Sequence, residues 1–84
     1  MTGSLDEVRV GLLLVAERLA AADQFARRAG TLLDDALAEL TRVSEQHSES
    51  LVPVQLRRAR DELDRGLGLV NAGSMAVSDI EARL

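Results

Sequence analysis

Apolar residues recur in unbroken steps of three and four along the first half of this chain: Leu5, Val8, Leu12, Val15, Leu19, Ala22, Ala26, Ala29, Leu33, Ala36, Leu40 and Val43. A repeat of this kind is the a/d pattern of a helix that lies lengthwise against other helices. Strands alternate with a period of two, so the pattern excludes a sheet over this stretch. With Leu5 at position a, the seam runs through six heptads without a register break.

The ends of the pattern can be read locally. Ser4-Leu5-Asp6-Glu7 has the form of a capping box, with Ser4 and Glu7 serving each other's backbone N–H. Gly11 and Gly30 each cost about 1 kcal/mol against Ala, but the seam continues through both. The spacing therefore predicts one helix from about Leu5 to Ser44–Gln46. The run Glu45-Gln46-His47-Ser48-Glu49-Ser50 has no apolar member and reads as the connection. Pro53 then suits the first turn of a second helix, extending to about Arg83. Its seam is Leu56, Ala59, Leu63, Gly66, Val70, Gly73, Val77, Ile80 and Leu84. The expected fold is all-α: an antiparallel two-helix hairpin, about 5–46 and 53–83, with heptad-type packing in a single domain spanning 1–84.

A turn centred near Glu49–Ser50 sets the expected register. Glu39 then faces Arg60 in an ion pair, Arg42 meets Arg57 as a like charge, and Leu84 falls beside Val15. Ala22, Ala29, Ala36, Gly66 and Gly73 would let the two helices approach closely. Within the helices, Asp23 and Arg27, Asp61 and Arg65, and Asp79 and Arg83 stand in the favourable acid-first order, four apart.

Two features ask for a partner. Val10-Gly11-Leu12-Leu13-Leu14 is apolar on every side of a helix, and such a helix is buried on every side. In the expected register this segment overhangs the hairpin. Phe25 and Leu32 at g, Leu37 at e, Leu67 at e and Leu69 at g widen each seam toward a four-helix stripe. A chain of 84 residues without Cys gains core most readily by oligomerising. The expected assembly is a homodimer of hairpins forming a four-helix bundle. Its interface would draw on Val10, Leu12, Leu13, Leu14, Phe25, Leu32, Leu37, Leu67 and Leu69. A different helical protein supplying the missing face is the alternative.

Chemistry is sparse. His47 is the only His, and Glu45, His47 and Glu49 read as a solvated turn rather than a metal site. Asp34, Asp35, Glu39, Asp61, Glu62 and Asp64 read as charged outer faces, with no Glu-x-x-His among them. No nucleophile has a base and an orienting group beside it in the pattern. Gly66-Leu67-Gly68 lacks the Lys of a phosphate loop. The Arg57-Arg58-Ala59-Arg60 cluster is interleaved with Asp61, Glu62 and Asp64, which favours a local charge network. Phe25 is the sole aromatic, so stacking platforms are missing. The sequence therefore implies no enzyme, no cofactor and no metal. A net charge of −4 disfavours nucleic acid. The longest uncharged stretch, Gly66 to Ser78, is too short and polar to span a bilayer, so no membrane insertion is expected. The basic residues are all Arg, which fits a GC-rich genome such as an actinobacterium's.

The layout, a short acidic helical hairpin without Cys, resembles the WXG100 (ESX) proteins of type VII secretion. Where that family carries Trp-x-Gly in its turn, this chain has Ser48-Glu49-Ser50-Leu51-Val52-Pro53. Where the family's C-terminal motif has Tyr, Met75 stands four residues before Asp79. The resemblance implies a small hairpin exported without a cleavable signal peptide. The residues themselves imply a cytoplasmic, self-associating, non-enzymatic interaction module.

Overall fold

The computed structural model describes residues 2–84, with side chains from Gly3 onward. Two helices account for nearly all of them: α1, Thr2–Ser44, and α2, Val54–Arg83. They lie antiparallel as a thin rod of 71 × 15 × 14 Å, and no strand occurs among the described residues. α1 begins ahead of the expected Leu5, so Ser4 stands inside the helix rather than at its N-cap. α2 starts one residue after Pro53, whose φ of −66° and ψ of 136° make it the N-cap. Leu84 closes α2 by donating its N–H to the Glu81 carbonyl at 3.2 Å.

The connection is asymmetric. Helix-like bonds continue past Ser44: Glu45 N–H reaches Thr41 O, Gln46 reaches Val43 O and His47 reaches Ser44 O, at 3.0–3.2 Å. The chain then returns in extended form. Ser44 organises that return, because its hydroxyl donates to Leu40 O at 2.7 Å and accepts from Leu51 N–H at 2.8 Å. Extended backbone advances more than twice as far per residue as a helix. The reversal therefore centres near His47, short of the expected Glu49–Ser50.

This moves the register. Arg9 donates to the Leu84 carbonyl at 3.0 Å, so Leu84 lies beside Arg9 and not beside Val15. The Val10–Val15 segment consequently runs alongside α2, and the overhang shrinks to the residues before Arg9. Arg60 is bound to Asp34 rather than Glu39. Glu39 instead accepts from Arg42 in its own helix, which answers the charge expected to meet Arg57.

The inward side of each helix is also turned from the expected line. On α1 the less exposed positions step by four and three: Leu12, Ala16, Leu19, Asp23, Ala26, Gly30, Leu33, Leu37, Leu40 and Ser44. On α2 they are Leu56, Arg60, Leu63, Leu67, Val70, Ser74 and Val77. In the lettering used above these are a and e positions. The d residues Val8, Val15, Ala22, Ala36, Ala59 and Ile80 are left exposed, while Ala29, Val43, Gly66 and Gly73 are half-buried beside the line. Turning toward e covers Leu37 and Leu67, whereas d offers mostly Ala and Gly. The same line also takes in Asp23, Ser44, Arg60 and Ser74, so it is not chosen by apolar area alone.

Candidate functional site: the clasped edge and the apolar edge

Arg60 sits at the centre of the better-defined edge. Its Nε donates to Asp34 Oδ1 at 2.8 Å and its Nη2 to Asp34 Oδ2 at 3.3 Å, a two-pronged contact between the helices. Its Nη1 donates to Asp64 Oδ1 at 2.6 Å, one turn along α2. The guanidinium lies over Gly30, the only buried residue among those described. A Cβ placed on Gly30 would meet Arg60 Nη1 at 3.1 Å and Cζ at 3.2 Å. Close approach thus occurs at Gly30. A Cβ at Gly66 or Gly73 would meet nothing within 4 Å, contrary to the expected tight contact on those residues. The hydrogen bonding that Arg60 donates to Asp34 is the main cause holding the Arg60 pKa above its ordinary value. Asp34 stays exposed, as its pattern position predicts, and still pairs across the helices with Arg60.

Other charges close locally. Arg27 Nε bonds Asp23 at 2.8 Å in the expected acid-first order, and that bond raises the Arg27 pKa. Asp61 and Arg65, and Asp79 and Arg83, do not close to ion-pair distance. Arg42 donates Nε to both Glu39 oxygens at 3.2 Å. The same hydrogen bonding holds the Glu39 carboxyl below its ordinary range and raises Arg42. Among the described residues no three His, Asp or Glu side chains converge as metal ligands, and no helix is long and apolar enough to cross a membrane.

The apolar residues divide into two groups. Leu12, Leu37 and Leu67 are half-buried on the inward line. Val10, Leu13, Leu14, Phe25, Leu32 and Leu69 remain exposed, led by Phe25 at 75%, Val10 at 68% and Leu69 at 67%. Among the described residues no apolar side chain is buried. At 100° per residue, the d and g positions of α1 centre about 110° from its inward line, on the side away from Asp34. The register set by Arg9–Leu84 brings Leu69 level with Phe25. Val15, Phe25 and Leu32 of α1 and Leu69 and Ile80 of α2 then form one apolar edge along the rod. Val10, Leu13 and Leu14 point elsewhere around α1. Leu13 lines a shallow notch with Arg9, Glu81 and Leu84 at the open end of the hairpin.

Sequence reasoning missed Gly30, Asp34 and Ser44. The Gly30/Asp34 pair carried a signal: a residue without a side chain one turn from a carboxylate offers a seat for an Arg from another helix. Ser44 gave none, because its role arises only once the loop has folded back. No protein-family model, curated protein or solved structure matches this chain.

Proposed function

We propose that this chain is a non-enzymatic helical interaction module that associates with copies of itself, using heptad-type packing to complete a four-helix bundle. The observation that carries the reading is the pairing of an unburied apolar set with a large exposed edge. Phe25 is 75% exposed, Leu69 67% and Leu32 63%, with no apolar side chain buried among the described residues. A fully buried Leu or Phe contributes about 1.5–3 kcal/mol, so covering this edge is a strong incentive to associate. Exposed apolar patches of this extent mark interaction surfaces.

Light scattering after size exclusion, across a dilution series, tests it. The expected mass is twice 9.1 kDa, falling toward 9.1 kDa on extreme dilution. Leu32→Glu should weaken association roughly 100-fold, from the loss of one buried apolar side chain on each copy. Its helicity should stay unchanged, since Leu32 is exposed in the separate hairpin. A single-hairpin mass at every concentration would refute self-association.

A further inference from the structure

The apolar edge of α1 carries charge only at its two ends. Following d and g positions from Arg18 to Glu39, the intervening residues are Phe25, Leu32 and three alanines. Arg18, Phe25, Leu32 and Glu39 fall at equal intervals of one heptad. Reversing the helix about the point between Arg28 and Ala29 exchanges Arg18 with Glu39 and Phe25 with Leu32. The edge is therefore complementary to itself when turned end for end, as a two-fold interface requires.

We infer that the occupant of this edge is a second copy of the chain laid antiparallel, α1 against α1, with Arg18 of each copy on Glu39 of the other and Phe25 against Leu32. The inference rests on the self-association proposed above and specifies its geometry. A parallel arrangement would set Arg18 on Arg18 and Glu39 on Glu39, two like-charge contacts. Glu39 has room for one added donor: Arg42 gives it three hydrogen bonds, from Nε to both oxygens and from Nη2 to Oε1, and a carboxylate accepts about four. The length also suits a dimer: overlap from about residue 10 to the turn is roughly 55 Å, most of α1.

Charge reversal tests it. Arg18→Glu and Glu39→Arg are each expected to weaken self-association about tenfold, since each replaces two attractions with two repulsions. Mixed one to one, the two variants should form the mixed dimer in clear excess, resolved by native mass spectrometry. The double variant should return to wild-type association. Both residues are exposed in the single hairpin, so helicity by circular dichroism should match wild type. Arg18→Gln and Glu39→Gln provide a gentler pair with the same ranking and smaller amplitude. If the wild type dimerises while the reversed pair shows no preference for the mixed dimer, the antiparallel arrangement is overturned and self-association stands. If the wild type has the mass of one hairpin throughout, the reading beneath it falls as well.

Discussion

The edge of the rod that carries Arg60 and the edge that carries Phe25 treat their side chains in opposite ways. On the first, Asp34, Asp64 and the bare backbone of Gly30 receive one guanidinium, so every prong is used within the chain. On the second, Phe25, Leu32 and Leu69 meet no comparable seat. The difference is one of supply. A two-helix rod has one inward line per helix, and a and e residues already fill it. An Arg can reach round the side to a carboxylate on the neighbouring helix. A Phe or Leu gains only by contact with apolar surface, and the rod has none left to offer. The Arg60 charge is thus paired inside the hairpin, and the apolar edge is left for association.

The most damaging change to the first edge should be Arg60→Ala. It removes the contact between helices and uncovers Gly30 at one stroke. Thermal melting at low protein concentration should show a larger loss than Arg27→Ala, whose ion pair lies within α1. Equal losses would mean that Arg60 contributes no more than an ordinary surface pair, which is worth little in solution. The contrast between the two edges would then rest on the apolar one alone.

The helices themselves were legible in the sequence, because period, polar run and Pro53 all act over a few residues. The register was not. It depends on how far each loop residue advances, and the extended return held by Ser44 is invisible to a count of residues. Shifting the register exchanged Glu39 for Asp34 as the partner of Arg60. The turn from d to e was hidden for a related reason. An a/d count sees only apolar residues, whereas the observed line also carries Arg60 and Ser44, which bond to Asp34 and to the returning chain. The pattern sets the five flanking residues together as one set, but the turn toward e half-buries Leu37 and Leu67 and moves Phe25, Leu32 and Leu69 further from the neighbouring helix.

Glycine substitution sharpens the comparison with a smaller effect. Gly68 lies on the exposed side of α2, and a Cβ there meets nothing within 4 Å. Gly68→Ala should stabilise the helix by about 0.5–1 kcal/mol. Gly30→Ala carries the same gain in helix propensity, but its Cβ would press on Arg60 at 3.1 Å. The guanidinium must lift away from Gly30 and strain its bonds to Asp34 and Asp64. The expected outcome in chemical denaturation is a smaller gain at Gly30 than at Gly68, or a loss. Equal gains would show that Arg60 adjusts without cost, and that Gly30 is not required beneath it.

The smallest effect belongs to Glu39, which stands where the apolar edge meets charge. Its folded pKa is lowered because Arg42 donates hydrogen bonds to the charged carboxylate. A carboxyl with a lowered folded pKa contributes stability above its unfolded pKa and loses it as pH falls through the folded value. The window therefore lies on the acid side of the ordinary Glu range. Both side chains are more than half exposed, so solvent screens most of the gain. A titration of the Glu39 side-chain carboxyl by NMR should place its midpoint below that of a free Glu, and Arg42→Ala should move it back up with little change in melting temperature. The antiparallel dimer adds a second cation, Arg18 of the other copy, to the same carboxylate. Within the dimer the midpoint should drop further, and Arg18→Gln should reverse only that additional drop. A midpoint that does not change with protein concentration would separate Glu39 from the interface and leave it paired with Arg42 alone.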